Sequence, residues 1–217
     1  MTQTEKKTIS KLGISESKIA LVNPQVEESF LLGPQKRGRF NEPPTILFLG
    51  SQAAHKKITL LIRVFAKLAK KYQDWQLIIA GPKTFFSPKI EKLVFGLQGG
   101  IQKRIKLLGK VSEKKKKELL DKTWILVNPS INESFGFVFL EAWARKKPVI
   151  GSNLGTLKEV ILPGENGFLY SRNSHKDLTE KIESLITNKK LAIKMGEKGY
   201  KIMKEGLSKK MIVDLNQ

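Results

Sequence analysis

This 217-residue chain predicts an α/β fold, a doubly wound parallel sheet of the Rossmann-like kind, on three observations. From Pro44 onward, short apolar runs alternate with segments of helical periodicity, which is the pattern of repeated strand–helix units. The runs are near-continuously apolar instead of apolar only at alternate positions, as a sheet covered on both faces requires. Several of them close on glycine or Gly-Pro, placing loops that allow close approach at the carboxyl ends of the strands, where sheets of this class bind ligands.

The elements follow in order. Strands are expected at 45–50, 75–82, 104–109, 124–130, 148–152 and 166–170. Between the first two, 58–72 reads as a helix with Leu61, Phe65 and Leu68 on one face. Further helices are expected at 89–97, at 112–120 with Ser112 as cap, at 137–146, a short one at 156–161, and two at 176–187 and 191–204. Residues 1–40 differ: one helical piece, one strand-like piece "KIALVNP", then a loop rich in charge, Pro and Gly. That segment is too small for a domain, so the division is 1–40 as a lead-in and 41–217 as the domain.

Composition narrows the function. Forty Lys and Arg against 20 Asp and Glu give a formal charge of +20, a field suited to nucleic acid, anionic lipid or phosphorylated small molecules. No aromatic RNA-binding signature or zinc-finger spacing is present, so nucleic acid is not expected. The densest basic run, "SEKKKKELLDK" at 112–122, reads as a solvated helix face. The sequence has no cysteine, which excludes a disulfide scaffold and thiolate metal sites. With no signal-like leader and no apolar span, the expected setting is cytoplasmic, with peripheral contact at the anionic inner face of a membrane as an option.

Two strand-end loops carry candidate chemistry. "GSQAAHKKI" at 50–58 sets His55, Lys56 and Lys57 beside a helix N-terminus, a geometry that suits a diphosphate; a solvated charged turn is the alternative. "NESFGFVFLEAWA" at 132–144 places Glu133 in a loop and Glu141 inside a mostly apolar helix. Such a pair can serve acid–base chemistry or accept hydrogen bonds from sugar hydroxyls. On the residues alone, a dipole-facing Glu133 and a surface Glu141 account for it equally well.

The order of residues from Pro129 to Leu169 resembles the donor-binding half of glycosyltransferase family 4, the group 1 enzymes of the GT-B fold. The matching elements are Pro129-Ser130, Glu133, then Glu141 after seven residues, Ala142, Ala144, Pro148-Val149-Ile150, Ser152, Gly155, Glu159-Val160, Gly164, Asn166-Gly167 and Leu169. "LFLGSQAAHKKITLLIRVF" resembles the family's phosphate loop, "IKLLGKVSEKKKKELL" the segment beside the nucleotide base, and "MGEKGYKIM" its closing helix. The resemblance spans about 18–205.

That resemblance implies roles. Lys56, near Gly50, Ser51 and Lys57, would neutralise the diphosphate of a UDP- or GDP-sugar donor. Glu133 would contact the transferred sugar, with Ser134 and the main chain of Phe135, Gly136 and Phe137 close by. Glu141 would hold the ribose, and Gly109, Lys110 and Val111 would lie by the base. Lys56 and Glu133 would be the catalytic pair, in a transfer that retains configuration and uses neither metal nor cofactor. Where many members carry Arg after the strand-ending glycine, this chain has Ser51, and Lys57 is the neighbouring charge available in its place. Residues 1–40 resemble the exit of an N-terminal GT-B domain and the linker after it, so the chain corresponds to a C-terminal half and a separate N-terminal half is the implied partner. A non-catalytic nucleotide-sugar-binding half is the alternative, and a basic nucleic-acid-binding protein a lesser one.

Overall fold

A computed structural model describes residues 3–19, 30, 31, 43–133 and 136–209. Six strands form one parallel sheet: β1 (Thr45–Leu49), β2 (Gln76–Ala80), β3 (Ile105–Gly109), β4 (Thr123–Asn128), β5 (Val149–Ser152) and β6 (Gly167–Tyr170). Their order is β3-β2-β1-β4-β5-β6. The chain therefore winds outward from β1 to β3, returns to pair β4 with β1, and winds outward again. This is the doubly wound class read from the sequence, and its switch point lies between β1 and β4.

Eight helices are described: α1 (Gln3–Ser10), α2 (Ile58–Lys71), α3 (Ser87–Phe95), α4 (Gly99–Gln102), α5 (Glu113–Lys122), α6 (Phe137–Ala144), α7 (His175–Thr187) and α8 (Lys189–Lys209). None among the described residues is long and apolar enough to cross a membrane. The mostly apolar strands have a direct cause, because each face of the sheet has its own core. Ile46, Phe48, Leu77 and Ile79 pack with Leu61, Phe65 and Ile182 on one face. Leu47, Leu49 and Leu126 pack with Leu120, Phe139 and Trp143 on the other. Alternate side chains of a strand point to opposite faces, so every position of the central β1 is buried by one layer or the other, whereas the edge strand β3 exposes Lys106 and Leu108.

Helix ends are satisfied by side chains where the sequence provides them. The Ser112 hydroxyl accepts from Lys115 N at 3.2 Å to start α5, and Ser174 accepts from Asp177 N at 3.1 Å to start α7. Arg104 reaches back to the end of α2 and donates to the carbonyls of Ala69 at 2.7 Å and of Tyr72 and Gln73 at 2.9 Å. Those carbonyls would otherwise be the unmatched acceptors of a helix C-terminus. Glu183 accepts from Lys71 and Tyr72, both at 2.7 Å, joining α7 to α2; these bonds hold its carboxyl below the usual range.

Helix α8 lies against α6 and its C-terminal turn through two glycines. A Cβ on Gly196 would stand 2.0 Å from the Lys146 carbonyl oxygen, and one on Gly199 would stand 2.1 Å from the Trp143 ring. Trp143 cannot easily yield, because it is buried and its indole N–H donates to Asn166 O at 2.9 Å. The Lys146 carbonyl is backbone and cannot change rotamer, so Gly196→Ala is expected to cost about 1–3 kcal/mol by overpacking, read as a lower urea midpoint at unchanged m-value.

The structure departs from the sequence-based expectation in three places. The helix expected at 156–161 is only the 3-10 turn Leu157–Glu159. The four-residue α4, with two glycines, gives no periodic signal. The lysine run of α5 is not uniformly solvated: Lys114 and Lys115 are exposed, but Lys116 turns inward. Of the lead-in, α1 and the buried side chains of Ile19 and Phe30 are described, whereas most of "KIALVNP" lies outside the described residues.

Candidate functional site

The carboxyl ends of β1, β2 and β3 are drawn together by main-chain bonds that continue past the strands. Gly50 N donates to Ala80 O at 3.0 Å, Gln52 N to Pro82 O at 2.9 Å, and Gly81 N to Gly109 O at 2.7 Å. Gly81 has φ of +149°, and a Cβ there would lie 1.8 Å from Gly50 O. The strand-ending glycines therefore let neighbouring backbones touch beneath the site.

From Gly50 the chain makes a 3-10 turn at Ala54–Lys56, passes Lys57 in a left-handed conformation (φ 53°) and enters α2. Opposite, β4 leads into the 129–136 loop. Gly136 (φ 74°) caps α6, where a Cβ would meet the Phe139 ring at 2.5 Å. Ile131 N donates to His55 O at 2.9 Å and locks the two loops together across the switch point.

The result is a direct ion pair. Lys56 Nζ lies 2.7 Å from Glu133 Oε2, and each side chain is 16% exposed. Glu133 is fixed from two further sides: Asn128 Nδ2 donates to the same oxygen at 3.3 Å, and Thr156 Oγ1 donates to the Glu133 carbonyl at 2.7 Å. The loop beneath is pinned by the Tyr170 hydroxyl on Pro129 O at 3.0 Å and by the Ser152 hydroxyl on Ser130 O. Burial pushes the pKa of Tyr170 upward, so it remains a neutral donor through the physiological range.

A second pair lies further along α6. Glu141 Oε1 accepts from Lys116 Nζ at 2.8 Å, with side-chain exposures of 15% and 20%. Lys116 also meets Glu113 at 2.9 Å. Burial pulls the pKa of Lys116 down, but the hydrogen bonds to Glu141 and Glu113 outweigh it and hold Lys116 above the ordinary lysine value. Lys116 is thus a charged positioning partner for Glu141. In the sequence it is indistinguishable from its three lysine neighbours.

The remaining sequence-predicted positions fall around these pairs. Gly50, Ser51 and Lys57 line the first loop, and among the described residues Lys57 has no ionic partner. Gly109 ends β3 with φ of +63°, followed by exposed Lys110 and half-buried Val111. Phe137 opens α6 and is 56% exposed. Ser134 and Phe135 lie outside the described residues. Asn128, Thr156 and Lys116, which hold the two glutamates, were not anticipated. Asn128 alone left a signal, as a polar residue closing an otherwise apolar strand.

The model of the family described as "Glycosyl transferases group 1" matches residues 33–202. The chain belongs to the group 1 glycosyltransferases. An uncharacterized glycosyltransferase of Methanocaldococcus jannaschii is 33% identical over 159 residues, covering 73% of this chain and 43% of the relative. The lipopolysaccharide core biosynthesis mannosyltransferase LpcC of Rhizobium leguminosarum is 31% identical over 153 residues, covering 66% and 41%. The chain thus spans less than half of these relatives. Among solved structures, the C-terminal domain of the group 1 protein LpcC from Francisella tularensis superposes with a TM-score of 0.70 at 28% identity, covering 76% of this chain and 87% of that one. HepE of Anabaena, solved with UDP and glucose, gives a TM-score of 0.80 at 18% identity, covering 94% and 57%, a likeness of fold. The two acids eight positions apart, Glu133 and Glu141, are each paired with a different lysine, Lys56 and Lys116.

Proposed function

We propose that this group 1 chain binds the nucleotide-diphosphate sugar of a glycosyl transfer, as the donor-binding half of a retaining, metal-independent glycosyltransferase. The observation that carries the reading is the Lys56–Glu133 pair at the β1/β4 switch point, 2.7 Å apart and mostly buried. A lysine and a carboxylate so placed offer a cation for the diphosphate and an acceptor for sugar hydroxyls in one cleft. As the sugar–phosphate bond breaks, charge develops on the leaving diphosphate. Lys56 and the N-termini of α2 and α6 are the groups that meet it.

Glu141 takes the ribose in this reading. A carboxylate accepts from both ribose hydroxyls, and the ion pair with Lys116 orients it. UDP is the first probe, because HepE, alike in fold, is solved with it. The acceptor side belongs to a partner half, joined or separate. Glu141→Ala is expected to weaken UDP about tenfold or more, the value of a charge-assisted hydrogen bond of about 1.5–3 kcal/mol. It should leave 2′-deoxy-UDP much less affected. Calorimetric titration of both nucleotides checks this, and an equal loss for both would remove Glu141 from the ribose.

A further inference from the structure

The segment that carries α2 and α3 is strongly basic. Residues 43–112 hold 13 Lys and Arg against two acids, Asp74 and Glu91. Helix α2 contains no acid, and its outer row Arg63, Lys67 and Lys70 repeats at i, i+4 and i+7. Its apolar row Leu61, Phe65 and Leu68 faces the core, so the basic row faces solvent. Beside it on the same face of the sheet, α3 buries Ser87, Ile90 and Val94 and exposes Lys89 and Lys92. The one acid there, Glu91, is held by Lys83 at 2.7 Å.

Two aromatic side chains interrupt this basic surface. Phe85, just before α3, is 92% exposed and Phe95, at its end, is 80% exposed. The nine-residue helix sets them about 15 Å apart. Singly exposed apolar residues are ordinary. Two phenylalanines standing almost fully in water at either end of a lysine-bearing helix form the combination that enters a headgroup boundary while cations meet phosphates.

We propose that the α2–α3 face docks on an anionic lipid bilayer. Phe85 and Phe95 insert at the headgroup–acyl boundary, and Arg63, Lys67, Lys70, Lys89 and Lys92 meet lipid phosphates. Phenylalanine carries no hydrogen-bonding group with which to read a base, and two rings about 15 Å apart at opposite ends of α3 do not form one stacking platform for successive bases; a bilayer therefore fits better than nucleic acid. Because α2 begins at the Lys56 loop, docking sets the cleft beside the membrane. The proposal stands independently of the donor reading.

Sedimentation of the full chain with phosphatidylcholine vesicles, with and without about a third phosphatidylglycerol, at about 0.1 M salt tests it. The expected result is partition onto anionic vesicles and little onto phosphatidylcholine alone. Lys89→Gln with Lys92→Gln should lower partition about 25-fold, roughly fivefold per lysine. Phe85→Ser with Phe95→Ser should lower it about tenfold or more, with an unchanged thermal midpoint showing that the fold is intact. Should that variant unfold, the lysine pair alone decides. Three outcomes overturn the proposal: no binding of the wild-type chain to anionic vesicles, binding that neither variant changes, or tighter binding to duplex RNA or DNA that the phenylalanine variant leaves intact.

Discussion

Lys56→Ala is expected to lower affinity for UDP by two to three orders of magnitude. Two effects add. The charged hydrogen bond to the diphosphate is worth about 1.5–3 kcal/mol. Its loss also leaves the Glu133 carboxylate, 16% exposed, uncompensated beside an incoming anion, so the total comes to about 3–4 kcal/mol. Lys57 is the nearest replacement cation, but its backbone is committed as the left-handed entry to α2, and it makes no contact with Glu133 among the described residues. Lys56→Arg keeps the charge and should recover part of the loss. Calorimetry or ligand-detected NMR measures all three chains. An alanine variant that binds UDP within threefold of wild type would place the diphosphate elsewhere.

The second large effect is on stability. Gly81→Ala is expected to cost about 3 kcal/mol or more, and to lower expression of folded chain. The new Cβ would sit 1.8 Å from Gly50 O, a backbone atom that no rotamer change can move, and φ at Gly81 is +149°. Strands β1 and β2 must separate at the floor of the site, or the bond from Gly81 N to Gly109 O must open. Gly99→Ala makes a control, since an added Cβ there meets nothing. Urea unfolding of both variants gives the comparison, and equal midpoints would contradict the packing described.

The fold was legible because its physics is local and repeated. Apolar runs closed by Gly50, Gly81 and Gly109, each followed by an amphipathic segment, leave few alternatives to a parallel sheet covered on both faces. The strand order, which the sequence reading did not supply, makes β1 and β4 neighbours and brings the candidate loops together. The apolar company of Glu141 in α6 agrees with its burial, since its side chain is only 15% exposed.

What was not legible depends on contacts between distant positions. Lys56 and Glu133 are 77 residues apart, and the choice between an anion site and a solvated turn rests on that pairing. Which lysine of "KKKK" turns inward depends on the seating of α5 beside α6, so Lys116 could not be told from Lys114 or Lys115. The glycines of "MGEKGYKIM" matched a pattern in the sequence. Only the packing of α8 against Trp143 and Lys146 explains why they are glycines.

In the proposed donor site, Lys56 and Glu133 hold each other until a donor divides them, the lysine to diphosphate and the carboxylate to sugar. Glu133→Gln tests it most directly, because the two ligands should respond in opposite directions. UDP should bind this variant more tightly than wild type, about three- to tenfold, since no ion pair has to be shared and one repelling charge is gone. UDP-glucose, taken as a representative donor, should lose its preference over UDP, because the charge-assisted bonds to sugar hydroxyls are weakened. Parallel titration of both ligands into both chains gives the answer. Tighter UDP with a reduced sugar preference is expected; weaker UDP, or an unchanged ratio of the two affinities, would show that Glu133 and Lys56 do not divide a donor between them.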